Sequence, residues 1–465
     1  MLISYNLKLR GKCMNTRIAL LPFMLISYQV LEGKTMQNTV QFQLDKYMQE
    51  LTRLNRFSGT VLVAKGDTIL LSKGYGFAHR EFEVPNRSNT RFPICSITKL
   101  ITATAIMNLQ EKGLLRVSDK VSSYLPDFPR GDDITIHQLL SHTSGFSGSN
   151  MPLEMVVLPT SADAVLAFFK AQPLEFQPGS NYQYSNGGYL VLGSIIEKVS
   201  GMRYDLFIKK NILDPLQMHE SIFPTTDFEI IKNCASGYCF NANNELVNGY
   251  YVYRQNFNGS GGLHATVGDL YLFGRALTSG RLVMKESLQS MFTAYHPQGS
   301  YGYGCFVNNI YGHRLISHGG MLSSGFKSTL SLFTDDAIII AILSNCWQSW
   351  VDEARDALLA IVCGLPYDYL HTDPITIEPD LFDEYAGIYN HPLFPQCYTL
   401  EKAHHALSTP DQGKIVPVSQ DQFMISGNKA PNMVYQFIRD EVNKIVQLRI
   451  KGGGPYFEVR CEKIM

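Results

Sequence analysis

The stretch from residue 96 to residue 115 limits the fold more than any other part of the chain. At helical spacing it carries apolar side chains around most of its circumference: Ile97, Leu100, Ile101, Ala103, Ala105, Ile106, Met107 and Leu109. A helix that is apolar on nearly every side belongs in a protein interior. Gly113 follows where a C-terminal cap would end it. The sequence therefore predicts a buried helix here.

Length and composition are those of a globular protein with an ample core. The 465 residues, 45% of them hydrophobic, suffice for two or three domains, or for one large domain with an appendage. The 40 basic and 41 acidic residues nearly cancel, which gives no reason to expect nucleic acid or an anionic membrane as the main partner. The nine cysteines form no C-x-x-C pair, so we predict no metal site.

Strand-like runs lie on both sides of a long middle region. The runs on either side are the hairpin 60–64 and 68–72, the strands Phe326–Phe333 and 337–343, and the helix Val351–Cys363. The middle region mixes short helical patterns with polar, glycine-rich stretches such as 256–262, which predict loops around a cleft. We therefore expect the α+β class, with an α/β sandwich and a helical lobe.

The amino-terminal end of the chain has the pattern of a separate leader segment. Residues 1–35 are a predicted leader, because Arg17 precedes the apolar run 18–28, which has the length of a signal-peptide core. Met14 is an alternative start, since the charged-then-apolar order begins there. The leader predicts export, either periplasmic or secreted; an uncleaved anchor and a buried core helix are the alternatives.

Composition changes again near residue 366. Prolines mark a linker over 367–380, which would end a main domain of residues 36–366. From 381 to 465, short alternating runs separated by turn residues predict a small antiparallel β domain.

Ser96 and Lys99 open the buried helix as an S-x-x-K sequence. One helical turn separates them, so both side chains leave the same face near the amino end. There the helix dipole favours a developing oxyanion, and the amine can handle the serine's proton. The motif alone is weak, and a capping serine with a solvated lysine is the simpler interpretation. The apolar surroundings make a solvated Lys99 difficult to arrange.

Two further segments carry candidate site residues. Tyr184 and Asn186 lie in a polar turn before an apolar helical pattern, and His318 precedes Gly319 and Gly320 at the end of a strand-like run. Each has a structural interpretation as well, as a buried tyrosine, a turn residue or a hydrogen-bonded histidine. Glycines at a strand end allow a ligand to approach the backbone closely.

In this order and at these separations, the three segments resemble the serine β-lactamase and penicillin-binding-protein superfamily, in its class C-like branch. The stretches 134–145, 259–263 and 301–304 also resemble landmarks of that family. The resemblance covers about residues 40–364 and implies a β-lactamase/transpeptidase-like fold. Residues 385–389 are similar to the lipocalin-like domain that follows many such cores, which implies a barrel-like tail.

The resemblance also implies roles for individual residues. Ser96 would be the nucleophile, Lys99 its proton-handling partner and Tyr184 a second base, while Asn186 would orient the substrate. The backbone amides of Ser96 and Met321 would form the oxyanion hole. No cofactor is required by this chemistry.

The third segment departs from the β-lactamase pattern. His318, Gly319 and Gly320 stand where those enzymes have Lys-Thr-Gly, and they would contact the substrate. The missing threonine hydroxyl removes a donor for a β-lactam carboxylate, so we do not expect efficient penicillin hydrolysis. Histidine at this position is similar to the esterase and peptidase variants.

Two proton assignments remain open from the sequence. Keeping Lys99 neutral at pH 7 requires a pKa shift of about 3.4 units, or roughly 4.6 kcal/mol, which burial can supply. Alternatively, a charged Lys99 lowers the pKa of Tyr184 and the two share one proton. We favour the second, because an adjacent cation and phenolate stabilise each other.

The predicted function is a serine hydrolase that cleaves an ester or amide through an acyl-enzyme, as a carboxylesterase or a D-amino-acid peptidase or carboxypeptidase. Its partner would be a small-molecule ester, amide or peptide; peptidoglycan or membrane-surface association and the oligomeric state stay open. The alternative is an inactive penicillin-binding-like protein that acts in binding or assembly. The sequence contains neither H-E-x-x-H nor G-x-S-x-G, which argues against a zinc protease and an α/β-hydrolase.

Overall fold

The structure is a computed structural model of the chain. It describes residues 39–146, 155, 158, 160, 162–224, 226, 229–241, 245–253, 257–296, 300–367, 377–390, 397–403, 406–409, 413–425, 434–451 and 458–464. The predicted leader, residues 1–35, lies outside the described residues.

The first part of the chain combines a sheet with helices. Its strands are β1 (Gly59–Lys65), β2 (Thr68–Tyr75), β3 (Phe77–His79), β4 (Val84–Pro85), β5 (Phe92–Pro93), β6 (Tyr238–Phe240), β7 (Leu246–Asn248), β8 (His264–Ala265), β9 (Phe306–Ile310), β10 (His313–Leu322), β11 (Phe326–Phe333) and β12 (Ile338–Ser344). Six of them form an antiparallel sheet in the order β2-β1-β12-β11-β10-β9. Both ends of this region therefore supply one sheet, as the sequence predicts.

The helices lie mostly between those strands in the chain. They are α1 (39–53), α2 (Thr98–Glu111), α3 (Ile136–Leu140), α4 (Ala162–Lys170), α5 (Asn186–Ser200), α6 (Tyr204–Ile208), α7 (Asn258–Gly261), α8 (Val267–Thr278), α9 (Lys285–Met291), α10 (Val351–Cys363) and α11 (Phe382–Tyr385). The predicted helix Val351–Cys363 has the bounds of α10.

The predicted interior helix is α2. Its residues from Thr98 to Met107 are all buried, and it contacts α5, α6 and α7. Gly113, with a φ of +70°, follows the end of the helix in the left-handed conformation that glycine adopts without steric cost. The all-round apolar pattern thus places α2 at the centre of the helical lobe.

Both faces of the sheet are covered. In β12, Ile340 and Ile342 pack into the core that includes side chains of α1 and α10, whereas Ala341 and Leu343 pack into the core around α2. Alternate residues of a strand point to opposite faces, so a strand covered on both sides needs an unbroken apolar run. This explains why β12, which is apolar from Ile338 to Leu343, lacks the polar alternation of a half-exposed strand.

One part of the sheet edge faces the start of α2. Strand β9 pairs with β10 only over His313–Ser317, whereas β11 pairs with it as far as Leu322. The remaining residues of β10 lie beside the 3-10 turn Cys95–Ile97 that precedes α2. A strand edge and a helix amino end therefore meet at one place.

The end of the chain forms a closed, eight-stranded antiparallel barrel. Its strands are β13 (Gly387–Asn390), β14 (Cys397–Ala403), β15 (Ala406–Thr409), β16 (Gly413–Ser419), β17 (Gln422–Ile425), β18 (Val434–Arg439), β19 (Ile445–Lys451) and β20 (Glu458–Lys463). The predicted β-barrel-like tail is confirmed.

Aromatic rings pack together in the core of the barrel domain. The ring centre of Phe437 lies 4.9 Å from that of Tyr385, 5.9 Å from that of Tyr389 and 5.2 Å from that of Phe423. All four side chains are buried. Their contacts supply the apolar burial that a domain of this size needs.

The linker at 367–380 and the domain limits beside it stay proposals. Tyr367 packs against Tyr47 of α1 at 5.8 Å between ring centres, whereas Ile377 belongs to the core of the barrel. Among the described residues, no helix has the length and apolar character needed to cross a bilayer. The same residues contain no group of three or more His, Cys, Asp or Glu side chains that could hold a metal ion.

Candidate active site

The chain enters α2 through a strained residue. Cys95 has a φ of +53°, in the left-handed region that non-glycine residues seldom adopt. Such strain costs about 1–3 kcal/mol and persists only where the surrounding structure holds it. The next residue, Ser96, is half-buried, while the helix that follows is buried almost throughout. The serine hydroxyl thus lies at the accessible end of a buried helix.

Lys99, one helical turn after Ser96, is fully buried. Its Nζ lies 3.0 Å from Oγ of Ser96, 2.8 Å from Oδ1 of Asn186 and 2.7 Å from the carbonyl oxygen of Ser260. The two residues of the S-x-x-K sequence therefore meet on one helix face. A solvated lysine, the simpler interpretation of the motif, is wrong.

The two other contacts of Lys99 come from different elements. Asn186 is the first residue of α5, and Ser260 lies in α7. The loop predicted at 256–262 thus contains a helical turn. Gly259 permits it, because a Cβ there would lie 2.7 Å from the carbonyl oxygen of Tyr189 in α5. The close approach of α7 brings a carbonyl oxygen to the buried amine.

Burial governs the proton distribution around Lys99. It lowers the pKa of Lys99 well below its usual value and raises the pKa of Tyr184. A neutral amine has two N–H donors and one lone pair. An ammonium could donate one N–H to each of the oxygens of Ser96, Asn186 and Ser260; in a neutral amine, the oxygens of Asn186 and Ser260 accept the two N–H groups and the Ser96 hydroxyl donates to the lone pair. Burial of the amine therefore favours its neutral form, whereas the hydrogen bonds fit both forms, and the charged pair that we favoured from the sequence stays a prediction.

Tyr184 completes the group around the serine. Its side chain is hydrogen-bonded to that of Ser96, and its ring centre lies 4.9 Å from Nζ of Lys99. A hydroxyl, an amine and a phenol from distant parts of the sequence are thus in mutual contact. Together they can take the proton from the serine hydroxyl and pass a proton on to a group of a bound substrate.

His318 is held in one tautomer. Its Nε2 accepts a hydrogen bond from the Tyr301 hydroxyl at 2.9 Å. Its Nδ1 contacts the carbonyl oxygen of Gly319, and because a carbonyl oxygen only accepts hydrogen bonds, Nδ1 must carry the ring proton. Burial, with the nearby Lys99 as a smaller cause, lowers the pKa of His318 to about 3. The side chain is 1% exposed. Both ring nitrogens are therefore occupied, and the imidazole is uncharged.

The glycines after His318 differ in how much room they leave. A Cβ on Gly320 would lie 2.4 Å from the carbonyl oxygen of Ile94 and 2.8 Å from Cβ of Cys95, so β10 can approach the helix start only because this residue is glycine. A Cβ on Gly319 would meet its nearest atom at 3.5 Å. Met321 follows with 59% of its side chain exposed.

A cavity of about 360 Å³ joins these residues. Its lining includes seven of the eight predicted site residues: Ser96, Tyr184, Asn186, His318, Gly319, Gly320 and Met321. The eighth, Lys99, lies buried beneath the serine. The structure therefore brings all eight together at one place.

Comparison with known proteins agrees with this arrangement. Residues 44–363 match the Beta-lactamase family. The chain belongs to the beta-lactamase family. The resemblance inferred from the sequence is confirmed, and so is the fold class.

Relatives of this beta-lactamase-family protein include two Bacillus subtilis proteins. PbpX, provisionally named a penicillin-binding protein, is 33% identical over 304 residues, which are 65% of this chain and 73% of PbpX. A second penicillin-binding protein is 29% identical over 384 residues, or 76% of this chain and 84% of the relative. The octameric penicillin-binding protein homologue from Pyrococcus abyssi has a similar structure, with a TM-score of 0.66 and 25% identity over 90% of this chain and 99% of that one.

The cavity of this beta-lactamase-family protein also reaches charged residues that the sequence analysis did not single out. Lys327, Asp352 and Arg355 line it, with an ion pair of 3.1 Å between Arg355 and Asp352. Nζ of Lys327 lies 3.9 Å from the same carboxylate. A lysine within the otherwise uncharged strand Phe326–Phe333 was the signal that could have indicated them.

Tyr301 and Phe306 were also missed as site residues. Tyr301 lies in a stretch that resembles a family landmark, yet it received no role. Its hydrogen bond to His318 and the exposure of Phe306 to the cavity depend on where β9 and β10 begin. Spacing along the sequence does not contain that information.

Proposed function

We propose that the protein is a serine hydrolase that cleaves an ester or amide through an acyl-enzyme on Ser96. The supporting observation is the contact of 3.0 Å between Oγ of Ser96 and the fully buried Nζ of Lys99. Burial lowers the pKa of the amine and so favours its basic, neutral form, and the helix start makes the serine accessible.

The first half of the reaction forms the acyl-enzyme. Oγ of Ser96 attacks the substrate carbonyl carbon while its proton passes to the lone pair of Lys99. The backbone N–H groups of Ser96 and Met321 stabilise the oxyanion of the tetrahedral intermediate. The Tyr184 hydroxyl gives its proton to the leaving group as the carbonyl–heteroatom bond breaks, and it regains one from the Lys99 ammonium. Asn186, whose oxygen accepts from Lys99, offers its amide N–H groups to the substrate.

The second half releases the acid. Water attacks the ester on Ser96 and gives a proton to the side chains of Tyr184 and Lys99. The Ser96 oxygen leaves as the acyl bond breaks and recovers a proton from the same pair. The enzyme returns to its starting protonation without a cofactor.

The substrate we propose has no carboxylate beside the scissile bond. His318 is uncharged, and Gly319 supplies no hydroxyl where the β-lactamases have a threonine. Phe306 and Met321 add apolar surface to the cavity. These features support neutral ester or amide substrates, among which we propose carboxylic esters and D-amino-acid amides, and they do not support efficient β-lactam hydrolysis. The names of the relatives support slow acylation by penicillin.

The test of this proposal is covalent labelling with a fluorophosphonate probe. We expect the label on Ser96 in the intact protein and its loss in Ser96→Ala. Ser317→Ala is the matched control, because Ser317 lines the same cavity and has no role in the reaction. Labelling that persists in Ser96→Ala would rule out the proposed nucleophile.

The second candidate is a binding or assembly protein in which hydrolysis is lost. Two relatives are named as penicillin-binding proteins, which is the reason to test this candidate. Turnover should be measured with nitrophenyl esters, D-amino acid amides and nitrocefin. Stoichiometric labelling by penicillin with turnover of none of these substrates would favour the binding protein. Export and an association with peptidoglycan or a membrane surface remain predictions, and the octameric relative makes assembly worth measuring in the same preparation.

A further inference from the structure

His142 packs directly behind Tyr184, although no step of the proposed reaction uses it. The two ring centres are 4.4 Å apart, and the imidazole is 1% exposed. Its ring also contacts that of Tyr301 at 4.5 Å and that of Tyr189 at 5.1 Å. With Tyr182 at 6.2 Å, four phenol rings surround the buried imidazole, and that of Tyr184 belongs to the proposed active site.

His142 also holds the backbone on both sides of Tyr184. The N–H of Gln183 donates to the His142 carbonyl oxygen at 2.9 Å. The N–H of Ser185 donates to Nδ1 of the His142 ring at 3.1 Å. One residue therefore fixes the peptide groups before and after the tyrosine, and its ring packs against the tyrosine ring between them.

This arrangement requires a neutral imidazole. Nδ1 accepts a hydrogen bond, so the ring proton is on Nε2, which has no hydrogen-bond partner among the described side chains. Burial is the largest cause that lowers the pKa of His142 well below its usual value. A proton on Nδ1 would face the N–H of Ser185 and break the contact.

The backbone of His142 is itself unusual. Its φ is +59°, in the left-handed region that non-glycine residues seldom adopt and in which asparagine, aspartate and histidine are enriched. Local conformational preference therefore does not by itself select histidine over asparagine or aspartate at this position. The contacts of the ring with Ser185 and Tyr184 do.

We propose that His142 is a positioning residue that holds the Tyr184 phenol against Ser96. The inference rests on the proposed function, since it gives His142 a role in the acylation of Ser96. Loss of the His142 contacts with Ser185 and Tyr184 would let the tyrosine move without removing any reacting group. A displacement of about 1 Å at a reacting group can cost on the order of 100-fold in rate.

The test compares two variants that suit the backbone equally well. His142→Gly removes the ring and the acceptor, whereas His142→Asn keeps a side-chain oxygen that can accept from Ser185. We expect the rate of Ser96 labelling to fall by about 10- to 100-fold in His142→Gly and to recover largely in His142→Asn. Should His142→Gly fail to fold, His142→Phe replaces it, because phenylalanine fills the ring space and lacks the acceptor.

A double-mutant cycle separates positioning from a general structural role. If His142 acts through the phenol, His142→Gly has little further effect in a Tyr184→Phe background. An equal loss in both backgrounds would overturn the proposal, as would a His142→Asn variant as slow as His142→Gly. Failure of the nucleophile assignment is a different result, visible in Ser96→Ala alone.

Discussion

The Tyr301 hydroxyl donates to Nε2 of His318 at 2.9 Å, and this contact fixes the imidazole beside the serine in its neutral form. Nδ1–H faces the carbonyl oxygen of Gly319, so neither nitrogen is available to a substrate. The cavity consequently lacks a cation where the family resemblance places a lysine in β-lactamases. Charge preference at this position can therefore be changed by one substitution.

His318→Lys should change the acyl-group preference. The new ammonium would attract a carboxylate next to the scissile bond, so the ratio of kcat/KM for carboxylate-bearing over neutral substrates should rise by about tenfold, which corresponds to about 1.4 kcal/mol. His318→Gln is the uncharged control and should keep the original ratio. An unchanged ratio in both variants would make His318 a purely structural residue.

The low pKa of His318 also leads to a prediction of how the stability of the fold depends on pH. Its pKa is about 3 in the folded protein, below the usual value near 6.5, so the unfolded chain binds more protons between these limits. Stability contributed by neutral His318 is thus present above pH 6.5 and is lost as the pH falls toward 3. Thermal unfolding at pH 7 and pH 4.5 should show a larger drop in Tm for the wild type than for His318→Gln. Equal drops would contradict the low pKa.

Lys99→Arg distinguishes the two proton assignments. Arginine keeps a cation and N–H donors but does not become neutral in a protein. If neutral Lys99 is the base, acylation should fall by about 10²- to 10⁴-fold in Lys99→Arg and by a similar factor in Lys99→Met. Stopped-flow measurement with a nitrophenyl ester gives both rates. Substantial activity in Lys99→Arg, with loss in Lys99→Met, would instead support a tyrosine phenolate next to a cation.

Gly320 and Gly319 form a matched pair for a stability test. Gly320→Ala places a methyl group 2.4 Å from the carbonyl oxygen of Ile94 and should destabilise the fold by about 1–3 kcal/mol. Gly319→Ala meets no atom closer than 3.5 Å and should stay within about 0.5 kcal/mol of the wild type. Denaturant unfolding measures both. Similar stabilities would mean that β10 can move away from the helix start.

The sequence predicted the parts of the fold whose burial has a clear period. Strand Phe326–Phe333 and helix Val351–Cys363 have the predicted bounds, because their apolar runs end at turn residues. The turn at Asn258–Gly261 was missed, since four residues rich in glycine carry no helical pattern. Only the close packing against α5 makes that segment helical.

The candidate site was predictable to the extent that its residues form motifs. Ser96, Lys99, Tyr184 and His318 come together as expected, whereas the proton state of Lys99 depends on how completely the surrounding helices exclude water. His142 and Lys327 were not predicted as site residues. The position of His142 follows from its left-handed backbone conformation, and that of Lys327 follows from the register of β11 on β10. A local sequence pattern specifies neither.

The packed rings within the terminal barrel bear on what that domain can do. Lipocalins of eight strands carry a small guest in a hollow lumen, whereas Tyr385, Phe423 and Phe437 of this protein pack against one another in the core of the barrel domain. A molecule carried inside this domain would have to displace packed aromatic side chains from its core.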